Sequence, residues 1–392
     1  MLRKTIIILI CLATISGCAS EQILPETTAP TVPTTCVPTT HDTEETQTET
    51  TQPVEVVGFD PYAIIDSMSI ETLVGQLFLG SCPGKYSAIE DIAAYQPGGF
   101  VLFGNDFQDE TPNSLRATLS SYQDASPIPM LFAVDEEGGT VIRVSRYSQF
   151  RESAFSSPRE LYSQGGIDLL VSTEAEKCRL LDSLGIHVNL GPVCDITTNS
   201  NSFMYRRSLG LSPQDTGNAI TSVIHTMSSE GIGSVLKHFP GYGDNADTHT
   251  DSALDSRSLQ YLEENDLVPF VAGINAGCDA IMISHTVIAA LDEIAPASLS
   301  PAVHQYIREQ MGFDGVLMTD DLIMDAISDT YGDEEAAVLA ILAGNDMLCT
   351  GAFQEQYPAV LEAVQSGRIP IDTVKESVAR ILLWKNKLGL IS

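Results

Sequence analysis

The sequence predicts an α/β protein built as a single (β/α)8 TIM-type barrel behind a disordered N-terminal stalk. Eight short apolar runs alternate with longer amphipathic stretches from residue 58 to the end of the chain. The runs are nearly continuous in hydrophobicity, as in parallel strands covered on both faces. Eight such strand and helix pairs favour a closed barrel. An open doubly wound sheet is the alternative, but it more often carries a glycine-rich phosphate loop, which the sequence does not show.

The first seventeen residues are predicted to be a signal peptide. Arg3 and Lys4 provide a positive start, and the apolar run over residues 5–15 is too short for a stable membrane-spanning helix. The run ends in Ile-Ser-Gly-Cys at residues 15–18, which resembles a bacterial lipobox, so Cys18 is the expected lipid attachment site. An ordinary cleaved signal with an incidental cysteine is the alternative. Because no second apolar segment of membrane length follows, we expect a lipid-anchored protein that faces outside the cytoplasm.

Residues 18–57 are predicted to form a disordered stalk. The composition changes there to Thr, Pro, Glu and Gln, and such a stretch has too little apolar surface to offset the entropy of ordering it. Residues 58–392 have a normal length for one barrel domain.

The charge of the chain limits the kinds of partner that it can bind. With 20 basic and 52 acidic residues the formal net charge is -32, so nucleic acid is excluded by repulsion of its phosphates. A polyanionic substrate bound over a broad surface is disfavoured for the same reason. The eight cysteines show no disulfide framework and no CxxC motif, and we expect neither a cofactor nor a metal. Nothing in the sequence implies a protein partner.

The barrel prediction assigns each strand to one apolar run. The eight runs are residues 77–82, 98–103, 129–135, 187–193, 234–238, 280–285, 315–320 and 346–350. Amphipathic stretches between them predict helices, the clearest being residues 216–230, 259–276 and 334–343.

Polar residues follow strands 3 to 7 at the end of the barrel where catalysis takes place in this fold. They are Asp135, Asp195, Lys237, His238, His285, Asp320 and Asp321. A barrel with a purely structural role has little reason to collect acids, bases and histidines there. His285 is kept as a candidate sugar-contacting residue.

Asp320 is the predicted nucleophile. It ends strand 7, and a carboxylate at a strand end is held rigidly enough to attack the anomeric carbon of a sugar. One of two adjacent aspartates can cap the following helix, so Asp321 is given that cap or a supporting role beside Asp320.

The segment after strand 5 carries the predicted general acid. Residues 237–251 are rich in glycine and proline, as expected of a loop on the active face. Asp247 and His249 are two apart, so in an extended segment their side chains share a side. The carboxylate can then orient the imidazole and raise its proton affinity, which suits a general acid near neutral pH. The alternatives are a plain solvated loop and a metal site built from Asp244, Asp247, His249 and Asp251, whose spacing does not match an EF-hand.

The motifs taken together resemble those of glycoside hydrolase family 3, in its single-domain NagZ-type β-N-acetylglucosaminidase branch. The resemblance covers nearly everything after the stalk, in the right order. It lies in residues 134–139 with Arg143, 189–208, 237–251, 296–300 and 312–322. The KHFPG sequence followed by Asp-x-His is specific, because the broader β-glucosidase members lack that pair. Two departures, Tyr242 in place of the usual second histidine and Arg206 before Arg207 and Ser208, put linkage and leaving-group preference in question.

The resemblance implies a retaining exo-β-N-acetylhexosaminidase that acts on GlcNAc-containing glycans or peptidoglycan fragments. Asp320 would form the glycosyl-enzyme, and His249 paired with Asp247 would be the acid/base. The residues implied to bind the sugar are Asp135, Arg143, Arg207, Lys237 and His238. Three other functions stay open: a β-glucosidase of the same family, a GlcNAc phosphorylase, and a non-catalytic sugar-binding lipoprotein.

Overall fold

The computed structural model describes residues 58–243 and 253–392. It begins with two short helices, α1 (Pro61–Ile65) and α2 (Ile70–Gln76), which pack against the last helix of the chain, α13 (Ile371–Lys387). Asp60 and Ser69 cap the first two by accepting hydrogen bonds from backbone N–H groups of the first turn, which leaves fewer donors unsatisfied.

Eight parallel strands form the barrel, which confirms the predicted fold class. The strands are β1 (Phe78–Ser81), β2 (Gly99–Leu102), β3 (Leu131–Val134), β4 (Val188–Asn189), β5 (Gly233–Phe239), β7 (Ala280–Ile283), β9 (Val316–Thr319) and β10 (Leu348–Thr350). Their hydrogen-bonded order is β10-β1-β2-β3-β4-β5-β7-β9. A parallel bridge between Met318 and Met347 joins β9 to the start of β10 and so brings the two ends of the sheet together.

A second sheet has only two short strands. These are β6 (Leu254–Asp255) and β8 (Val287–Ile288), which pair in parallel. The sequence does not predict them, because a strand of two residues has no periodicity to detect.

Helices fill the connections between barrel strands. They are α3 (Ala88–Tyr95), α4 (Pro112–Ala125), α5 (Pro158–Leu184), α6 (Pro213–Ser229), α7 (Leu259–Glu264), α8 (Leu267–Asn275), α9 (Pro301–Gln305), α10 (Asp325–Tyr331), α11 (Asp333–Ala343) and α12 (Phe353–Gln365). Short 3-10 turns lie at Gly104–Asp106 and Ala297–Leu299, and a π-helical turn at Tyr306–Gln310. The stretch predicted as one helix over residues 259–276 is two helices, which separate at Asn265.

Several helices begin with the same local signal, a Ser or Thr followed by proline. The hydroxyl caps a backbone N–H of the first turn, and proline fits the first helical position because its missing N–H has no partner to lose there. The pairs are Thr111-Pro112, Ser157-Pro158, Ser212-Pro213 and Ser300-Pro301.

The core lies on both faces of the barrel sheet. Every residue of β2, β3, β5, β7 and β9 is buried, as expected of strands covered by helices outside and by side chains inside. Trp384 of α13 is also buried. In the described residues, none of the helices is both long and apolar enough to cross a membrane.

Candidate active site

The carboxyl ends of the barrel strands bring the predicted polar residues into one mouth. Asp135 directly follows β3, Lys237 and His238 lie near the end of β5, and Asp320 directly follows β9. Because neighbouring strands run parallel, the residues that follow them lie at the same end of the barrel.

Lys237 is the centre of the ion pairs in this mouth. Its Nζ lies 2.6 Å from Oδ1 of Asp135 and 2.7 Å from Oε1 of Glu137. Burial alone would lower the pKa of Lys237, but the two carboxylates outweigh burial and raise it. The ammonium therefore stays charged, and it fixes the position of Asp135.

Glu137 binds a second cation, Arg207. Two parallel hydrogen bonds join them, from Nε to Oε2 at 2.9 Å and from Nη2 to Oε1 at 2.7 Å. Burial would raise the pKa of Glu137, but the attraction of Lys237 and Arg207 lowers it well below its usual range. Glu137 lies in the family-like motif over residues 134–139, but the sequence predicts no role for it. The signal for it was its place as the third acid of the run Asp135-Glu136-Glu137.

The two glycines after Glu137 are required by its backbone. Gly138 and Gly139 have φ values of 100° and 66°, which side-chain-bearing residues rarely adopt. A Cβ on Gly138 would lie 2.3 Å from the carbonyl oxygen of Ser156.

His238 is held between Asp195 and Arg207. Its Nδ1 lies 2.8 Å from Oδ2 of Asp195, and its Nε2 lies 3.1 Å from Nη2 of Arg207. A guanidinium can only donate, so Nε2 accepts and Nδ1 carries the proton given to Asp195.

Asp195 completes what we call the mouth network, defined as Asp135, Glu137, Asp195, Arg207, Lys237 and His238. Its Oδ2 also accepts the backbone N–H of His238, and its Oδ1 accepts that of Tyr242 at 2.7 Å. Burial opposes ionisation of Asp195, but His238 and these donors lower its pKa overall. Tyr242, the departure from the family motif, packs its ring against Phe203 and His238.

Arg143 lies at the rim of the mouth. Its Nη2 is 3.8 Å from Oδ2 of Asp135, and its guanidinium is 6.0 Å from the ring centre of Phe103. The buried Glu136 holds the backbone there, since its Oε2 accepts the N–H groups of Arg143 at 2.8 Å and of Val144 at 2.7 Å. The position of Arg143 thus depends on a carboxylate that itself does not face the mouth.

Asp320 and Asp321 form the turn that leaves β9. The N–H of Asp320 donates to the carbonyl of Ile283, and Oδ1 of Asp320 accepts the N–H of Asp321 at 2.9 Å. Oδ1 of Asp321 accepts the N–H groups of Ile323 and Gly351.

Of the two roles expected for Asp321, the structure shows the supporting one. Helix α10 begins at Asp325 with Met324 in the cap position, so Asp321 does not cap it. Its carboxylate instead ties the turn after β9 to the loop after β10.

The thiol of Cys349 in β10 lies within reach of negative charge from two strand ends. Burial raises the pKa of its thiol well above the ordinary value, and nearby negative charge adds to the rise. The charges that contribute come from the turn after β9 and from the residue after β3, namely Asp321, Asp320 and Asp135.

His285, the candidate sugar-contacting residue, is only 1% exposed and lies under the turn after β9. Its Nε2 lies 2.9 Å from the carbonyl oxygen of Asp321 and its Nδ1 lies 2.7 Å from Oγ of Ser298.

The remaining predicted residues, Asp247, His249 and Cys18, lie outside the described residues, as do Asp244 and Asp251 of the alternative metal site. Residues 58–243 and 253–392 contain no group of three His, Cys, Asp or Glu placed to hold a metal ion.

Arg257 fastens the described chain on both sides of residues 244–252. Its Nη2 donates to the carbonyl of Gly241 at 3.0 Å and to Oδ2 of Asp255 at 2.6 Å. Its Nη1 donates to Oδ1 of Asp266 at 2.8 Å. One side chain thus connects β5, β6 and the start of α8.

Known proteins are similar to this chain in sequence and in structure. The sequence model of the glycosyl hydrolase family 3 N terminal domain matches residues 69–383. Over 329 residues the chain is 30% identical to beta-hexosaminidase A of Pseudoalteromonas piscicida, covering 76% of this chain and 55% of that protein. It is 28% identical to beta-hexosaminidase LpqI of Mycobacterium tuberculosis, covering 83% of this chain and 85% of that one.

The structural comparison agrees. A glycoside hydrolase family 3 beta-N-acetylglucosaminidase from Paenibacillus sp. str. FPU-7 superimposes with a TM-score of 0.78 at 29% identity, covering 83% of this chain and 63% of that one. The chain spans little more than half the length of the Pseudoalteromonas relative but most of the mycobacterial one.

Proposed function

The chain belongs to glycosyl hydrolase family 3, and on that premise we propose that it is a retaining exo-β-N-acetylglucosaminidase. The observation that carries the proposal is the mouth network, whose charged side chains pair with one another at the carboxyl end of the barrel. The carboxylate of Asp320 lies at the same end of the barrel, directly after β9. Relatives named as beta-hexosaminidases support the substrate class.

The proposed reaction has two displacements. In the first, a carboxylate oxygen of Asp320 bonds to the anomeric carbon while the bond from that carbon to the leaving oxygen breaks, and His249 gives this oxygen a proton. In the second, His249 takes a proton from water, the water oxygen bonds to the anomeric carbon, and Asp320 is released. Asp247 would orient the imidazole and favour its protonated form.

The mouth network, together with Arg143 at its rim, suits an uncharged sugar. Three cations, Arg143, Arg207 and Lys237, are paired with three carboxylates, Asp135, Glu137 and Asp195, directly or through His238. A balanced set of this kind offers directional hydrogen bonds to hydroxyl and acetamido groups without a net field to attract an ion.

Exposure separates the groups that can reach a sugar from those that hold them. The side chains of Asp135 and Arg143 are 18% and 27% exposed, whereas those of Lys237 and Glu137 are each 2% exposed. We therefore propose that Asp135 and Arg143 meet the sugar directly. The buried Lys237, itself paired with Glu137, fixes Asp135. The side chains of Arg207 and His238, which are 14% and 5% exposed, complete the lining of the mouth.

A substrate panel tests the activity. The purified full-length protein is assayed for release of nitrophenol from the β-GlcNAc, β-glucoside and β-xyloside derivatives, with and without inorganic phosphate. We expect turnover of the β-GlcNAc compound with retention of the anomeric configuration, which NMR reports directly. Preference for the glucoside would favour the β-glucosidase alternative, and a sugar phosphate product would favour phosphorolysis.

The nucleophile is tested by removing its carboxylate. Asp320→Ala is expected to lose activity by on the order of 10⁴-fold or more, as removal of a covalent nucleophile does in other enzymes. A folded wild-type protein that turns over none of the three compounds would refute the enzyme proposal. GlcNAc binding that persists unchanged in Asp320→Ala would then favour the sugar-binding lipoprotein.

We also propose that Cys18 carries a lipid that holds the enzyme at the outer side of the cell membrane, where glycan or wall fragments would reach it. The lipobox-like residues 15–18 support this proposal. Metabolic labelling with a fatty-acid analogue should mark the wild-type protein and not Cys18→Ser. Equal labelling of both would overturn it.

A further inference from the structure

His285 links the turn after β9 to the segment around Ser298. It follows β7, and its two ring nitrogens contact Ser298, thirteen residues later, and Asp321, thirty-six residues later. The side chain is buried beneath the turn that carries Asp320, so it is placed to act on that turn and not on the sugar.

The partners fix the tautomer of His285. A backbone carbonyl can only accept, so Nε2 must carry a proton and donate to Asp321. Nδ1 can then accept from the Ser298 hydroxyl, which is itself completely buried. Ser298 is held in turn, because its N–H donates to the carbonyl of Ser284 and its carbonyl accepts from Nδ2 of Asn345 at 2.7 Å.

Three hydrogen bonds to backbone groups, one of them from the His285 side chain, set the shape of the turn. The N–H of Asp320 donates to Ile283, the carbonyl of Asp321 accepts from His285, and the N–H of Leu322 donates to Cys349 at 3.1 Å. The peptide group between Asp321 and Leu322 is therefore gripped at both its oxygen and its nitrogen. The N–H of Asp321 belongs to the preceding peptide group, which joins the held one at the Cα of Asp321, and it donates to Oδ1 of Asp320, 2.9 Å away.

We propose that His285 is a positioning residue for the nucleophile: through the Asp321 carbonyl it keeps the Asp321 N–H on Oδ1 of Asp320. This inference rests on the proposed function of Asp320. Without the donor, the peptide group after Asp321 can rotate about the Cα of Asp321, and the peptide group before it shifts in response. The carboxylate of Asp320 then loses both its orientation and a hydrogen bond to its charged form. The loss of orientation lowers kcat, and the loss of the hydrogen bond raises the pKa of the nucleophile.

Two variants of His285 separate positioning from simple packing. His285→Leu fills the space but has no donor, whereas His285→Gln retains an amide donor of similar reach. His187→Leu is the control, because His187 is a half-buried histidine before β4, away from the turn, whose Nδ1 accepts the backbone N–H of Phe132 at 3.1 Å. Ser298→Ala is a milder second test of the same hydrogen-bond chain, should His285→Leu fail to fold.

Kinetics of the β-GlcNAc compound are the first readout. We expect kcat to fall about 10- to 100-fold in His285→Leu, the range for a small misplacement of a reacting group, with KM nearly unchanged. The acid limb of the profile of kcat/KM against pH should move to higher pH. His285→Gln should restore most of kcat, and Ser298→Ala should lie between Gln and Leu. A loss in His285→Leu no larger than in His187→Leu, or a Gln variant as poor as Leu, would overturn the proposal.

Crystal structures of the Leu and Gln variants give a readout that needs no activity. The separation between the Asp321 nitrogen and Oδ1 of Asp320 should increase beyond hydrogen-bond distance in the Leu variant and stay near 2.9 Å in the Gln variant. An unchanged turn in both would contradict the positioning role even if the protein proved to be no glycosidase. An inactive wild-type protein with the predicted change would instead refute only the proposed function.

Discussion

Glu137 holds two cations at once in a place that water does not reach. Its side chain is 2% exposed, and its oxygens contact both Lys237 and Arg207. Removal of one partner from a buried ion pair leaves the other charge uncompensated, which costs more than the pair itself contributes. The carboxylate of Glu137 should therefore matter to folding as well as to sugar binding.

Glu137→Gln tests the contribution of this negative charge to stability, because glutamine keeps the shape of the side chain and removes its charge. We expect the free energy of unfolding, measured in urea at neutral pH, to fall by about 3 kcal/mol. The matched control is Glu335→Gln, whose partner Arg368 is exposed at the surface, and it should leave the unfolding free energy nearly unchanged. Equal effects of the two changes would contradict the account of the mouth network.

The same carboxylate predicts part of the pH dependence of stability. Because its pKa in the folded protein is lowered, its contribution is complete above the ordinary glutamate pKa of about 4.3 and is lost as the pH falls below that value. Urea unfolding of wild type and Glu137→Gln at pH 7, 5, 4 and 3 should show their difference shrinking from pH 5 to pH 3. A difference that stays constant, or that grows at low pH, would contradict a lowered pKa of Glu137 in the folded protein.

At the scale of elements, the barrel strands were predictable because each is a short apolar run between helical stretches. Most of the strands are shorter than the runs, but β5 extends one residue beyond its run at each end. The pair β6 and β8 was missed because two-residue strands depend on tertiary pairing for their existence. The break between α7 and α8 was missed because both halves continue one amphipathic pattern.

The site was predictable in position but not in its pairing. The strand ends showed that Asp135, Lys237 and Asp320 would lie near one another. That Glu137 bridges Lys237 and Arg207, and that His285 supports the turn at Asp321, depends on contacts between residues distant in sequence, which no local pattern encodes.

Arg257 offers a prediction at the level of elements, because one guanidinium ties β5, β6 and α8 together beside residues 244–252. His249, the proposed acid/base, lies in that segment, so its productive placement should depend on this tie. We expect Arg257→Met to lower kcat/KM by about 10-fold or more. Arg257→Lys should not restore activity, because a single ammonium cannot reproduce the planar fork of donors.

Arg368→Met is the control for the loss of a guanidinium, since Arg368 pairs with Glu335 at the surface. It should retain wild-type kcat/KM on the β-GlcNAc compound. Restoration by Arg257→Lys would show that charge alone is needed there, and the tie between the three elements would then lose its support.

At the scale of the whole molecule, the net charge of the chain differs from the charge balance within the mouth. The chain has a formal net charge of -32, but the cations and carboxylates of the mouth pair with one another. A negative surface repels anions at long range, and salt screens this repulsion over roughly 10 Å at 0.1 M ionic strength. A neutral sugar feels neither effect.

The salt dependence of kcat/KM should therefore report the charge of the substrate. With the neutral nitrophenyl β-GlcNAc compound, kcat/KM should stay nearly constant from low to high ionic strength. With a GlcNAc disaccharide whose second sugar carries a carboxylate, as in wall-derived fragments, it should rise with salt, because the repulsion that slows encounter is screened. Measurement of both substrates over one series of sodium chloride concentrations provides the comparison. A rise for the neutral compound as well would show that salt acts on the protein itself, and a fall for the acidic one would mean that a local cation such as Arg143 outweighs the field of the whole chain.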